Sequence, residues 1–218
     1  MQNTSHAVMS QRIEPRDGLD DFPTPPWATR ALIQHVIKPT GLKQQTCLEP
    51  TCGRGYMANT LAEYFSEVRS ADIFDYGYGE VRNFLTSTPA PVDWIITNPP
   101  FNQGMAFVLH ALTIARRGVA MLTRTVFLEG DGRHKRLFTP HPPTMAAQFV
   151  QRVTMLHGRF DRNVNTATAY AWMVWTKGHT GPPRVVWIPP CKKALERPGD
   201  YDTPSPVPPT AKRRQGHP

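Results

Sequence analysis

The chain has 218 residues, 39% hydrophobic and 19% charged, a composition that predicts one domain with a buried core. It has no apolar run of the roughly 18 residues that a membrane helix needs, and its three cysteines are too few for a disulfide framework or a paired CxxC metal site. The net charge of +8 is uneven: residues 1–115 hold 8 Lys or Arg against 11 Asp or Glu, and residues 116–218 hold 17 against 6, which points to a polyanionic partner or to a basic solvated surface.

Both ends of the chain differ in composition from the middle. Residues 1–20 are polar and lack the apolar segment of a secretory signal, so we expect a disordered segment and a cytoplasmic protein. Residues 198–218 hold six prolines and the basic run Lys212-Arg213-Arg214, which predicts a disordered tail. A single domain is therefore expected over residues 21–197.

Between the ends, helical and strand patterns alternate, which predicts a doubly wound α/β sheet. Thr24 and Asn102 are expected to be helix N-caps. The predicted helices follow Thr24 up to Pro39, span about residues 55–65, and follow Asn102 up to Gly118. The predicted strands are residues 46–49, 68–71, 93–97, 119–123, 148–156 and 169–176, the last two as an antiparallel pair.

A glycine-containing turn joins the first predicted strand to the second helix. Its sequence over residues 48–58 is LEPTCGRGYMA, in which Gly53 and Gly55 would let the backbone approach a ligand closely. Asp72 ends the next strand, where a carboxylate can accept both hydroxyls of a ribose. The pattern fits a dinucleotide site, an S-adenosylmethionine (SAM) site and a tight turn without a ligand, and the glycines alone do not choose between them.

A second motif, Asn98-Pro99-Pro100-Phe101, follows the buried strand at residues 93–97. Its prolines predict a rigid turn at the carboxyl edge of the sheet, where open α/β sheets bind ligands. The Asn98 side-chain carbonyl and the Pro99 backbone carbonyl could each accept one N–H of an aromatic amine, which would direct the nitrogen lone pair toward a methyl donor. Phe101 offers a face for stacking the base. This chemistry depends on positioning rather than on a strong base.

Together these motifs resemble those of the SAM-dependent DNA adenine-N6 methyltransferases, specifically the small phage- and prophage-type proteins, over about residues 21–201. The resemblance implies a Rossmann-like class I methyltransferase fold with a mostly parallel seven-stranded sheet and an antiparallel strand near the C-terminal end. It implies catalysis by the Asn98–Phe101 motif, with SAM as methyl donor. The residues that it assigns to SAM are Thr24, Pro25, Glu49, Cys52, Gly53, Gly55, Asp72 and Asn83. Asn83 departs from the family, which often has Asp there.

The same resemblance implies DNA as the partner, with the target base flipped out or presented on a single strand. The residues expected to bind its phosphates are Arg133, Lys135, Arg136, Arg159 and Arg162. No recognition domain fits in this length, so we expect low or short-site specificity. The histidine spacing argues against a metal site.

Three other functions remain open from the residues. Asn-Pro-Pro-aromatic motifs also occur in methyltransferases of RNA bases, at guanine N2 or adenine N6, and of protein glutamine side chains. An NAD-dependent oxidoreductase could use the glycine turn and Asp72, but it leaves the Asn98–Phe101 motif unexplained. A DNA-binding protein with a decayed SAM site is the third alternative.

Overall fold

The computed structural model describes residues 21–160, 166–202 and 204. The predicted disordered segment 1–20, Arg162 and most of the predicted tail lie outside the described residues. None of the helices in the described part of the chain has the length and apolar character needed to cross a membrane.

The described strands form one sheet. They are β1 (Thr46–Glu49), β2 (Glu67–Asp72), β3 (Glu80–Val81), β4 (Trp94–Thr97), β5 (Gly118–Arg124), β6 (Met145–Phe149), β7 (Tyr170–Thr176) and β8 (Arg184–Ile188). Their order is β3-β2-β1-β4-β5-β7-β6-β8, and β7 is antiparallel to both of its neighbours while the other pairs are parallel. The mostly parallel α/β sheet with an antiparallel strand near the C-terminal end is confirmed. The described strands number eight rather than the seven that the resemblance implies, and β3 and the parallel edge strand β8 are the two that the sequence pattern did not locate.

The helices over residues 26–37, 56–62 and 104–114 lie where the sequence predicts them, with shifted ends, and the short helices beyond residue 130 were not predicted. The helices are α1 (Pro26–Ala31), continued by a π-helical turn over Leu32–Ile37, α2 (Tyr56–Ala62), α3 (Gly104–Ile114), the short α4 (Asp131–Arg133) with a π-helical turn over His134–Phe138, and α5 (Lys192–Leu195). The predicted N-caps are wrong. Pro25 occupies the N-cap position of α1, and Gln103 occupies that of α3, without a side-chain capping bond in either case.

The predicted strand 148–156 is shorter and earlier than expected. β6 ends at Phe149, and the chain then leaves the sheet. Val153 and Met155 are nevertheless buried, because they pack into the hydrophobic core on one face of the sheet together with Phe22 and α1. The apolar run therefore reports burial in a loop, which periodicity alone does not separate from a strand.

The start of the predicted tail folds back onto the domain. Asp200 is 9% exposed and accepts two hydrogen bonds from the buried guanidinium of Arg30, at 2.7 and 2.8 Å. Arg30 also pairs with Glu63 after α2 and donates to the carbonyl of Leu195 in α5. Ion pairing with both carboxylates keeps the pKa of Arg30 above its usual value despite its burial. This network joins three segments of the chain.

Candidate active site

Several polar side chains meet at one edge of the sheet. Because β1, β2, β4 and β5 are parallel, their carboxyl ends lie at the same edge. This places Glu49, Asp72, Asn98 and Arg124 along the same edge of the sheet, although up to 75 positions separate them in sequence. Open α/β sheets bind ligands at such an edge.

A cleft opens at this edge beside the glycine turn. Its cavity volume is about 120 Å³. The predicted site residues that line it are Thr24, Glu49, Cys52, Gly53, Asp72, Asn83, Asn98 and Pro100. Asp21, Arg54, Tyr56, Tyr76, Gln103 and Phe107 also line it and were not expected from the sequence.

The glycine turn is held by backbone contacts to β2. The N–H of Gly53 donates to the Asp72 carboxylate at 2.9 Å, and the N–H of Cys52 donates to the carbonyl of Ala71 at 2.9 Å. Gly53 has a φ of +50°, and no atom lies within 4 Å of the position that a Cβ would take. The backbone at Gly53 is therefore open to a ligand on its cleft side.

Gly55 serves a different purpose from the one that the sequence suggests. It does not line the cleft. Its φ is +87°, and a Cβ there would lie 2.3 Å from the ring of Tyr78. Tyr78 in turn donates to the side chain of Asn59 on α2. Gly55 therefore permits the packing of Tyr78 against the start of α2.

Two carboxyl groups give the cleft an acidic floor. Glu49 is 2% exposed, and its Oε2 has no hydrogen-bond partner among the described residues. Burial, and after it the charge of Asp72, raises the pKa of Glu49 well above its usual value. Burial also raises the pKa of Asp72, although backbone N–H groups of Gly53 and Phe74 donate to its carboxylate and oppose that shift. A ligand that brings hydrogen-bond donors or positive charge would stabilise the ionised forms of these two carboxyl groups.

The Cys52 thiol beside this floor lies in surroundings that disfavour its reactive thiolate form. Burial raises its pKa, and the charges of Glu49 and Asp72 add to the effect. A thiol with a raised pKa stays protonated and unreactive at neutral pH. Cys52 therefore contributes packing and shape to the cleft wall.

Asn98 stands just after β4 with its amide oriented by two neighbours. Its Nδ2 donates to the backbone carbonyl of Phe22 at 3.0 Å and makes a weaker contact with the sulfur of Met155 at 3.7 Å. Its Oδ1 is buried and has no hydrogen-bond partner among the described residues. Buried acceptors without a partner are rare in folded proteins, so this oxygen has the features of a ligand-binding atom.

The cleft and the Asn98–Phe101 motif are tied together. The hydroxyl of Thr51, in the glycine turn, contacts the hydroxyl of Thr97 at the end of β4 and donates to the backbone carbonyl of Asn98 at 3.0 Å. Both loops therefore sit on one frame. Neither threonine was singled out in the sequence, because a hydroxyl pair across two strands leaves no pattern along the chain.

Phe101 does not line the cleft and lies in an aromatic cluster. Its ring centroid is 5.3 Å from that of Phe22 and 6.3 Å from that of Tyr170. The guanidinium carbon of Arg124 lies 3.9 Å above the Phe101 ring centroid. Arg124 was not predicted as a site residue, since its place at the end of β5 becomes meaningful only through this contact.

The segment before α1 closes one side of the cleft. Asp21 pairs with Arg54 of the glycine turn at 2.9 Å. Both residues also contact Gly158. The Arg54 side chain donates to the Gly158 carbonyl at 3.1 Å, and the N–H of Gly158 donates to the backbone carbonyl of Asp21 at 2.8 Å. The turn at residues 156–160, which carries the exposed Arg159, is thereby attached to the cleft. Arg54, between the two glycines, makes this connection.

The remaining predicted contacts vary in position. Thr24 is buried at the cleft and contacts the sulfur of Met155, whereas Pro25 and Pro99 are buried outside the cleft lining. Asn83 is exposed at the cleft, and its Oδ1 accepts from the N–H of Leu85, which caps a short 3-10 turn. The Asn83 oxygen is therefore already engaged.

The predicted phosphate-binding residues divide into two groups. Lys135 and Arg136 are exposed on the π-helical turn after α4, and Arg159 is exposed on its turn. Arg133 instead donates to the carbonyls of Glu129 and Val126 and lies over the ring of Phe127, so it supports the loop that carries it. No cluster of His, Cys, Asp or Glu in the described ranges could hold a metal ion.

Solved structures of methyltransferases resemble this chain. A modification subunit of a putative type I restriction enzyme from Vibrio vulnificus YJ016 matches with a TM-score of 0.55 and 16% identity, over 75% of this chain and 45% of that one. A putative class I SAM-dependent methyltransferase from Listeria monocytogenes matches with a TM-score of 0.58 and 10% identity, over 79% of this chain and 67% of that one. A putative RNA methyltransferase from Pyrococcus horikoshii matches with a TM-score of 0.56 and 14% identity, over 75% of this chain and 90% of that one.

These similarities concern the fold. The chain spans less than half the length of the Vibrio subunit. Comparison with protein-family models and with curated proteins gives no match. The sheet order, the antiparallel β7 and the structural neighbours together show that the chain has the Rossmann-like fold of the class I SAM-dependent methyltransferases.

Proposed function

We propose that this protein is a SAM-dependent methyltransferase that acts on an exocyclic amine of a nucleic-acid base, namely N6 of adenine in DNA. The observation that carries the proposal is the buried Oδ1 of Asn98, an acceptor without a partner at the carboxyl edge of β4. It lies beside a cleft whose floor favours a ligand with donors or positive charge. An amine acceptor site and a cofactor cleft on one frame are what methyl transfer to nitrogen requires.

The cleft residues fit SAM. Glu49 has an unpartnered oxygen at the cleft, and Gly53 has space on its ligand side. Asp72 ends β2, the position from which an acidic side chain can bind ribose hydroxyls. When bound, SAM supplies an electrophilic methyl group on a positively charged sulfonium. Glu49, Asp72 and the Gly53 backbone are the groups that would hold it.

Asn98 provides the orienting acceptor for the amine. Its Nδ2 is committed to the carbonyl of Phe22, so its Oδ1 is left to accept an N–H from the substrate. The Pro99 carbonyl is a second acceptor, so the amine would be held by both of its N–H groups. This would direct the nitrogen lone pair toward the methyl donor without prior removal of a proton by a base. Asn98 has no basic group, so the proton lost from the amine passes to water. Preorganised acceptors of this kind are the main catalytic contribution.

Nucleic acid is the substrate class that the charge distribution favours. Residues 116–218 carry 17 basic against 6 acidic side chains, and Lys135, Arg136 and Arg159 are exposed. Phe101 supplies an aromatic ring beyond Asn98 on which a flipped base can stack. The similarity to a type I modification subunit supports DNA.

RNA is the second candidate substrate. The putative RNA methyltransferase from Pyrococcus horikoshii is matched over 90% of its own length, whereas the Vibrio subunit is matched over 45%. The chemistry at Asn98 would be unchanged.

The test uses purified protein, methyl-labelled SAM and unmethylated double-stranded DNA, followed by nucleoside analysis. RNA and an Asn98→Ala protein run in parallel. N6-methyladenine in DNA that disappears in the variant is the expected result. Label in RNA alone moves the substrate to the second candidate. SAM binding without label in either nucleic acid would overturn the nucleic-acid assignment.

A further inference from the structure

The aromatic site beyond Asn98 contains a cation that the proposed chemistry does not use. The Arg124 guanidinium carbon is 3.9 Å from the centroid of the Phe101 ring, the separation of two stacked planar groups. A base stacked on Phe101 would need comparable room. In the free protein, Arg124 therefore lies where a base would stack.

Arg124 also lacks the partners that a structural arginine normally has. Its Nε is buried without a hydrogen-bond partner, and no carboxylate pairs with it within residues 21–160 and 166–202. By contrast, Arg30 in the core makes six hydrogen bonds to oxygens of Glu63, Asp200 and Leu195. A guanidinium whose buried Nε has no hydrogen-bond partner among the described residues would be stabilised by an anionic partner.

Phe22 and Arg124 both pack against the Phe101 ring, and Arg124 is the one of these two that can leave. Phe22 is 4% exposed, and its backbone carbonyl fixes the amide of Asn98, so its displacement would disturb the amine site. Arg124 is half-buried at the end of β5 and has a long, flexible side chain. Access to Phe101 therefore depends on movement of Arg124.

We propose that Arg124 is a nucleic-acid-binding residue of the target-base site. In the free protein its guanidinium occupies the stacking position on Phe101. When the target base enters, the guanidinium turns outward and pairs with the phosphodiester beside that nucleotide. This inference rests on the proposed function, because it assumes that a base stacks on Phe101.

A phosphate contact has a signature that a structural contact lacks. Each phosphate neutralised by a cation contributes about 0.9 to the slope of log affinity against log salt concentration for duplex DNA. The experiment measures binding of an unmethylated DNA duplex across a salt series for the wild type, Arg124→Gln, Arg124→Lys and Arg184→Gln. Arg184 is the matched control, since it is exposed at the amino end of β8, at the opposite edge of the sheet.

We expect the slope to fall by about 0.9 in Arg124→Gln. Between 50 and 200 mM salt, the DNA affinity of the wild type should therefore drop by about threefold more than that of the variant. Arg124→Lys should keep the wild-type slope, because it keeps the charge, and Arg184→Gln should keep it as well. SAM affinity should be equal in all four proteins. If Arg124→Gln does not fold, Arg124→Met provides the same comparison with an apolar stem against Phe101.

Two results would overturn the inference alone. One is a wild-type slope in Arg124→Gln while the wild type methylates DNA. The other is an equal loss of slope in Arg184→Gln, which would indicate a general effect of charge. Failure of the wild type to bind or methylate either nucleic acid would instead overturn the proposed function, and this inference with it.

Discussion

The side-chain amide of Asn98 donates to the backbone carbonyl of Phe22 across 3.0 Å, between residues 76 positions apart. A carbonyl can only accept, so this contact fixes which end of the amide carries the nitrogen. The other end, Oδ1, is thereby kept as an unpaired acceptor. The segment before α1 thus orients the proposed catalytic side chain without touching the substrate.

Asn98→Ala should abolish most of the methyl transfer. Loss of one preorganised group of this kind costs about 10²- to 10³-fold in kcat. SAM affinity should stay near the wild-type value, because the proposed cofactor contacts, Glu49, Gly53 and Asp72, are on or just after β1 and β2. Single-turnover kinetics with labelled SAM measure the first quantity, and calorimetry measures the second. Asn102→Ala, an exposed neighbour, is the control and should behave like the wild type.

Glu49→Gln should weaken SAM binding and stabilise the free protein. Loss of a hydrogen bond to a charged group weakens binding by about 10- to 100-fold. The raised pKa of Glu49 means that the folded chain binds more protons than the unfolded chain between its two pKa values. The free energy of unfolding therefore falls as pH rises through that window, and Gln removes this loss.

The same substitution should change the pH profile of SAM binding. Wild-type affinity should rise with pH until Glu49 is ionised, since the carboxylate is the form that attracts a cation. Melting curves and SAM titrations across pH, with Glu129→Gln as an exposed control, measure both effects. A Glu49→Gln protein with the wild-type profile would contradict this account.

Gly55→Ala and Gly53→Ala should separate folding from binding. A Cβ at Gly55 would lie 2.3 Å from the Tyr78 ring, and the positive φ of the backbone there is unfavourable for alanine, so we expect a loss of about 2–5 kcal/mol in the free energy of unfolding. At Gly53 only the positive φ matters, which costs about 1–2 kcal/mol, and the larger effect should be on SAM affinity. Denaturant unfolding with and without SAM compares the two variants; equal stabilities would disprove the assignment of Gly55 to packing.

Asp200→Ala should destabilise the domain by about 3–5 kcal/mol, because it leaves the buried Arg30 guanidinium with one carboxylate partner fewer. Asp202→Ala, two positions later and exposed, should change stability by less than about 0.5 kcal/mol. Chemical denaturation of both variants measures the difference. A small effect at Asp200 would mean that the segment after α5 contributes little to the fold.

The sequence suffices for features that are local. The glycine turn, the Asn98–Phe101 motif and the strand before each are written in consecutive residues, and the α/β sheet follows from alternating patterns. β8 was not predicted because Ile188 is its one buried residue. β6 was predicted too late in the chain because Val153 and Met155 are buried outside any strand.

The contacts that give the site its character are tertiary. Arg124 meets Phe101 only when β4 and β5 pair, and Gly55 meets Tyr78 only when β2 returns beside the turn. Asp200 finds Arg30 across 170 positions. Composition and periodicity do not indicate which distant residues contact each other, so these pairs could not have been predicted from one sequence.

Thr51 follows β1 and Thr97 ends β4, two neighbouring strands that backbone hydrogen bonding holds about 4.8 Å apart in any sheet. The separation between methyl donor and acceptor nitrogen would thus be inherited from the peptide backbone rather than from replaceable side chains. Loops at the rim, such as residues 156–160, can then diverge and admit different targets while the transfer distance is preserved. Such a chain could be retargeted by loop exchange without rebuilding its chemistry.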